Sequence, residues 1–152
     1  MKTLEDFVKI SAFLKDPEDL PKNIDLFFFR KGEIPMWEES PLGGTWIIKF
    51  KQGSETSSLG EKWRAVLAAL VGEQFGQDSK NVIGANLSLR FKEVWLTVWL
   101  KDKDLQSAKI VVSNKLRHLL VLDPSETTLY FKEHTQAIKD KSTIKNALGY
   151  MF

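Results

Sequence analysis

The sequence predicts an α+β protein: one antiparallel sheet with helices packed on one face and the other face open. Three observations carry this. Residues 61–75, "EKWRAVLAALVGEQF", repeat Trp63, Val66, Leu67, Leu70 and Val71 at helical spacing. Residues 104–120, "DLQSAKIVVSNKLRHLL", do the same with Leu105, Ala108, Val112, Leu116 and Leu119. Between them, residues 87–101, "LSLRFKEVWLTVWLK", alternate aliphatic with polar or aromatic residues at the period of a strand pair.

The remaining elements follow in order. "TLEDFVKISAFLK", residues 3–15, reads as an amphipathic helix capped by Thr3, with Phe7, Ile10, Phe13 and Leu14 near one face. A loop at 16–23 leads to a strand over 24–32, which ends at Gly32. Residues 34–44, "IPMWEESPLGG", form a turn-rich loop, followed by a strand over 45–52. The polar loop 53–61 ends with Ser58 and Glu61 at capping-box spacing. Strands are expected over 82–91, 94–102 and 127–134. The tail, 135–152, is polar and basic before an apolar end and has no assigned element. No repeat, low-complexity segment or linker interrupts the chain, so 1–152 reads as one domain.

Composition narrows the function. The chain has 152 residues, 43% hydrophobic and 28% charged, which suits a globular domain with a substantial core. No apolar run reaches the length of a membrane span, and the N-terminus lacks the apolar stretch of a signal peptide. There are no cysteines, which excludes disulfides and thiolate chemistry and fits a reducing compartment. The net charge of +2 is too small to mark a nucleic-acid binder by itself. His118 and His134 have no partner at metal-ligand spacing, and no cofactor motif is present. Glu38 and Glu39 are adjacent, so their side chains would diverge, which makes a poor acid–base pair. With no phosphate-binding glycine loop, no Cys–His pair and no nucleophile elbow, catalysis is not expected.

Two stretches point to a ligand. In the 87–101 hairpin, alternation turns Leu87, Leu89, Phe91, Val94, Leu96, Val98 and Leu100 toward the helices. Arg90, Lys92, Trp95 and Trp99 then share the opposite face, where cations beside indoles suit a nucleotide's phosphates and base. Trp37 stands directly before Glu38 and Glu39 in a loop, where an indole can stack while a carboxylate reads a ligand's edge. Trp46 and Trp63, by contrast, sit among apolar neighbours and read as core.

The blocks "TLEDFVKI", "LFFFRKGEIPMWEES", "GGTWIIKF", "VLAALVGEQF", "VIGANLSLRFK", "LTVWLKD" and "STIKN", in this order and spacing, resemble the mRNA cap-binding translation initiation factor 4E family from nearly end to end. The resemblance implies a curved sheet with helices on its convex back and the cap on its concave front. It implies that Trp37 stacks on 7-methylguanine, a cation that gains from lying on an indole face. Glu38 would accept hydrogen bonds from the guanine N1–H and amino group, and Trp99 would pack against the methyl group. Arg90, Lys92, Lys139 and Lys141 would meet phosphates. A solvated tail is the alternative reading for Lys139, Lys141 and Lys145. The implied partners are capped mRNA, 7-methyl-GTP and cap analogues. A 4G-type scaffold or a 4E-binding repressor would meet the back at Val8, Trp63, Arg64 and Leu67. The implied location is the cytoplasm.

The chain also departs from the family. It begins just before the first helix, so the preceding strand and the second stacking tryptophan are missing from it. Thr45 replaces a phosphate-side arginine. Trp95 replaces a phosphate-binding lysine and would stack on a second nucleotide or stand in for the lost tryptophan. Val8 replaces a tryptophan, and Arg64 and Ala65 replace a Leu–Glu pair. Two rivals remain open: an interaction or repressor module that keeps the fold without cap binding, and a general single-stranded RNA binder.

Overall fold

The computed structural model describes residues 4–53, 56–104, 106–123 and 127–150. Strands β1 (Ile24–Phe29), β2 (Gly44–Lys51), β3 (Val82–Leu89), β4 (Glu93–Leu100), β5 (Leu129–Glu133) and β6 (Leu148–Tyr150) form one antiparallel sheet. Their spatial order is β1-β3-β4-β2-β5-β6. Helices α1 (Leu4–Ser11), α2 (Leu59–Val71) and α3 (Gln106–Leu120) supply the residues that pack on the sheet's apolar face, while α4 (His134–Asp140) follows β5 directly. Among the described residues no helix is long and apolar enough to cross a membrane.

Period-2 alternation decides which side of each strand meets the helices. Ala85, Leu87 and Leu89 of β3, Leu96, Val98 and Leu100 of β4, and Trp46, Ile48 and Phe50 of β2 belong to one apolar cluster, against which the half-buried Leu26 and Phe28 of β1 pack. Trp63, Val66, Leu67 and Leu70 of α2 and Val112 and Leu116 of α3 close that cluster from the helix side. Burial of each large aliphatic side chain contributes about 1.5–3 kcal/mol. Both helical stripes and the core role of Trp46 and Trp63 therefore stand; Leu105 lies outside the described residues.

Four expectations need correction. The first helix is shorter than 3–15, and of its proposed face only Phe7 is buried; it stacks edge-on against Phe28 at 6.2 Å. Phe13, expected in the core, is 89% exposed beyond the end of the helix. Phe91 is 72% exposed because the pairing Leu89↔Val94 leaves Phe91 and Lys92 at the tip of the hairpin turn, outside the alternation. Ser58 does occupy the N-cap of α2 but makes no side-chain capping bond. The carboxylate of Glu18 accepts the Gly60 amide instead, at 2.9 Å, so the orphan donor is satisfied from a distant loop. Finally, the tail left without elements contains α4 and β6, where β6 extends the sheet through Phe131↔Leu148.

Candidate functional site

The open face of the sheet is read in rows. Trp99 lies between Gly84 on β3 and Thr45 on β2, Thr97 between Asn86 and Ile47, and Trp95 between Ser88 and Lys49. Trp95, Thr97 and Trp99 therefore share this face, as alternation predicts. A cavity of about 300 Å³ opens above these rows. Its floor is Asn86, Thr97, Trp95 and Trp99; Trp37, Arg90 and the segment Ser142–Ile144 stand around it.

Trp99 is only 4% exposed. Its indole Nε1 donates to Asn86 Oδ1 at 3.0 Å and to Thr97 Oγ1 at 3.3 Å. Thr97 Oγ1 also donates to Asn86 Oδ1, and Asn86 Nδ2 donates to Ser88 Oγ at 3.2 Å. Phe29 packs edge-on to the Trp99 ring at 5.5 Å, in the space left by Gly84 opposite. The cavity floor is thus a connected polar network under an aromatic wall, fixed before any ligand arrives.

His134 braces the same corner. It is buried at the start of α4, 4.7 Å from the Trp99 ring. Its Nδ1 lies 2.7 Å from the Ser40 carbonyl and its Nε2 lies 2.9 Å from Thr45 Oγ1. A neutral ring that donates from Nδ1 and accepts at Nε2 satisfies both. Burial pushes the His134 pKa below its usual value, and the bond to Ser40 opposes this only in part. Thr45, at the position of the family's phosphate-side arginine, is fully buried and serves as this partner.

Trp37 opens the 3-10 turn Trp37–Glu39, which Ser40 and His134 tie to the sheet. Its indole N–H is buried and finds no acceptor among the described residues. Glu38 is exposed beside it and makes no hydrogen bond or ion pair among them; Glu39 is exposed too. Arg90 lines the cavity but is already engaged. Its Nη2 donates to both oxygens of Asp25, at 2.9 and 3.0 Å, and its Nη1 to the carbonyls of Ile24 and Leu89. Trp95 carries the ammonium of Lys49 over its ring at 4.9 Å, and Lys49 pairs with Glu93.

The structure thus brings Trp37, Arg90, Trp95 and Trp99 to one cavity, with Glu38 next to Trp37. It does not bring Lys92, Lys139 or Lys141 to the cavity lining; all three are exposed, Lys92 in the hairpin turn and the other two at the end of α4. Sequence reasoning missed Asp25, Asn86 and Thr97. Their only signal was strand alternation, which puts them on the same face as the tryptophans. Among the described residues no cluster of three or more His, Asp or Glu side chains could hold a metal ion.

On the helix side, Val8 is 57% exposed, while Trp63 and Leu67 are buried. Arg64 is exposed and paired with Asp16. Trp63, Arg64 and Leu67 line a second, more apolar depression of about 370 Å³ that reaches Phe13, Leu14 and Phe27 beside β1; Val8 is not among its lining residues.

Comparison with known proteins places this geometry. A family model described as "Eukaryotic initiation factor 4E" matches residues 1–148. Eukaryotic translation initiation factor 4E-4 of Caenorhabditis elegans is 32% identical over 148 residues, 96% of this chain and 67% of the relative. Eukaryotic translation initiation factor NCBP of Oryza sativa subsp. japonica is 32% identical over 146 residues, 95% of this chain and 62% of that one. This chain thus spans about two thirds of the length of such relatives. The crystal structure of Ascaris suum eIF4E-3 with m7G cap superposes with a TM-score of 0.81 at 25% identity, covering 88% of this chain and 74% of that one. Caenorhabditis elegans eIF4E-3 in complex with the 4E-binding protein Mextli superposes with a TM-score of 0.83 at 26% identity, covering 96% and 82%. The match of sequence over residues 1–148, together with superposition on these solved structures, means that this protein belongs to the eukaryotic initiation factor 4E family.

Proposed function

We propose that this chain binds the 7-methylguanosine cap of mRNA, as a non-enzymatic single domain over 1–152 acting in the cytoplasm in translation initiation or its control. One observation carries the reading: Trp37, with Glu38 exposed beside it, faces the same cavity as Trp99, Trp95 and Arg90. A methylated guanine is cationic and apolar on its faces but keeps two N–H donors on one edge. The Trp37 ring answers the first property and the free Glu38 carboxylate the second. The solved relatives hold an m7G cap, an m2,2,7G cap and the protein Mextli. By analogy a scaffold or repressor protein would meet the helix side near the exposed Val8 and Arg64.

Each residue has a separate task. Trp37 stacks, Glu38 selects guanine, and the Asn86-braced Trp99 presents an immobile surface to the methyl group. Arg90 meets the first phosphates by exchanging part of its bond to Asp25, while Lys92, Lys139 and Lys141 add outer positive charge. A titration with 7-methyl-GTP and GTP, read by tryptophan fluorescence, tests the reading. The methylated ligand is expected to bind at least about tenfold tighter (1.4 kcal/mol), and Glu38→Ala to lose that binding. Equal weak binding of both nucleotides in the wild type would instead support a fold-retaining interaction module. Binding that grows with RNA length and ignores the methyl group would support a general RNA binder.

A further inference from the structure

Lys132 is a lysine in an unusual place. It projects from β5 on the open side of the sheet, opposite Thr45, yet its side chain is only 1% exposed. Lysines are almost never fully buried unless paired, because an ammonium taken out of water without partners is strongly destabilising. Lys132 has two partners. Its Nζ donates to the Asp140 carboxylate and to the backbone carbonyl of Lys145.

Those two partners are the ends of a loop. Asp140 is the last residue of α4, and the chain then passes through left-handed Lys141 (φ 50°) and left-handed Asn146 (φ 58°) before entering β6. The loop has internal order: Ser142 N donates to Ala137 O at 3.1 Å, and Ser142 Oγ accepts the amides of Ile144 and Lys145, each at 3.2 Å. Asp140 also accepts from Gln136 at 3.0 Å and from Asn146 at 3.3 Å. The lysine bond, above all, holds its carboxyl below the usual range. Between the two anchors lie Ser142, Thr143 and Ile144, which form one side of the cavity that Trp37, Trp95 and Trp99 share. Neither Lys132 nor Asp140 lines that cavity.

We propose that Lys132 is a positioning residue of the binding site: its buried ammonium, clamped between the Asp140 carboxylate and the Lys145 carbonyl, holds loop 141–147 as the cavity's third wall and so sets ligand affinity. The inference rests on the cap-binding reading for its ligand and on the structure alone for the loop. The loop is tied at both of its ends to one side chain that originates in the sheet. Removing the Asp140 charge leaves the Lys132 ammonium buried without its counter-ion, and removing Lys132 leaves Asp140 with only its Gln136 and Asn146 donors, so the loop is expected to lift from the sheet rather than tolerate the loss.

The test uses the full chain with Lys132→Met, Asp140→Asn and the charge-conserving Asp140→Glu. Two measurements are needed: 7-methyl-GTP affinity, and hydrogen exchange of the amides of Ser142, Ile144 and Lys145. Lys132→Met and Asp140→Asn are expected to weaken binding roughly tenfold, the scale on which residues outside a site act on it. The loop amides should exchange faster while those of β2 and β4 do not, and Asp140→Glu should restore both readouts. In the Lys132→Met background, Thr143→Ala should cost no further affinity, although it costs some in the wild type. Unchanged loop exchange in Asp140→Asn would overturn the proposal. So would affinity losses that only track global melting and that Asp140→Glu does not rescue. If the wild type fails to bind 7-methyl-GTP at all, the cap reading falls, and the loop amides alone decide whether Lys132 is the clamp. Should Lys132→Met fail to fold, Asp140→Asn, which leaves the lysine in place, carries the same comparison.

Discussion

A guanidinium can hold a phosphate only with donors that are not already committed, and Arg90 has committed both terminal nitrogens. Asp25 takes Nη2 through two bonds, and two carbonyls take Nη1. The pair is about one third exposed, with side-chain accessibilities of 39% and 34%, so solvent screens its attraction. A ligand carrying several phosphates can therefore compete for it. Asp25→Asn is expected to tighten 7-methyl-GTP binding roughly two- to fivefold, the scale of a screened surface pair, and to leave binding of the phosphate-free cap nucleoside unchanged. Parallel titrations of the two ligands check this, and equal tightening of both would show that Asp25 acts on the base rather than through Arg90. The Arg90 position on the site face was legible from alternation with Trp95 and Trp99. Its capture by Asp25 was not, because β1 and β3 are joined only through pairing of residues far apart in sequence.

At the scale of elements, β3 carries a strict requirement at Gly84. A methyl group on Gly84 would lie 2.4 Å from the Phe29 ring and 2.8 Å from the Phe28 carbonyl. Only glycine lets β1 approach β3 here and lets Phe29 sit against Trp99. Gly84→Ala is expected to destabilise the fold by about 1–3 kcal/mol and to loosen Trp99, seen as a lower urea midpoint and altered tryptophan emission. The two long helices and the β3–β4 hairpin were readable because their apolar periods are clean over many residues. The segment after β5 was not. In α4 the buried side chains are His134 and Ala137, and β6 is only three residues long, so neither has an apolar period to detect. The loop between them is held by Lys132 and Asp140, two charged residues that sequence patterning assigns to solvent.

Across the whole molecule, His134 joins three parts of the chain: the Trp37–Ser40 turn, strand β2 and the Trp99 ring. Burial keeps it neutral in the fold, while in the unfolded chain it titrates near 6.5. Below that pH the unfolded chain binds the extra proton first. Stability is then fully present above about 6.5 and is lost as pH falls toward the depressed folded value. Thermal unfolding followed from pH 7.5 to 5.5 is expected to show a falling melting temperature, and His134→Gln should flatten that dependence. An equally steep fall in the variant would place the titrating group elsewhere. Asp140 acts in a separate window: its carboxyl is held low by Lys132, so its contribution persists above the ordinary carboxylate range and is lost only in stronger acid.

The sequence by itself determined the α+β class, the helical stripes, the core tryptophans Trp46 and Trp63, and the placement of Trp95 and Trp99 on the face away from the helices. Each of these follows from local periodicity, which any sheet packed under amphipathic helices must obey. The family was legible as well, from the order and spacing of short blocks such as "IPMWEES" and "GGTWIIKF". Tertiary structure alone decided that Asn86 braces Trp99, that Asp25 restrains Arg90, that Thr45 turns inward to His134, and that a buried lysine carries the loop beside the cavity. These are pairings between polar groups distant in sequence. Their energies depend on burial and on partners that come together only when the sheet closes, so no local pattern encodes them.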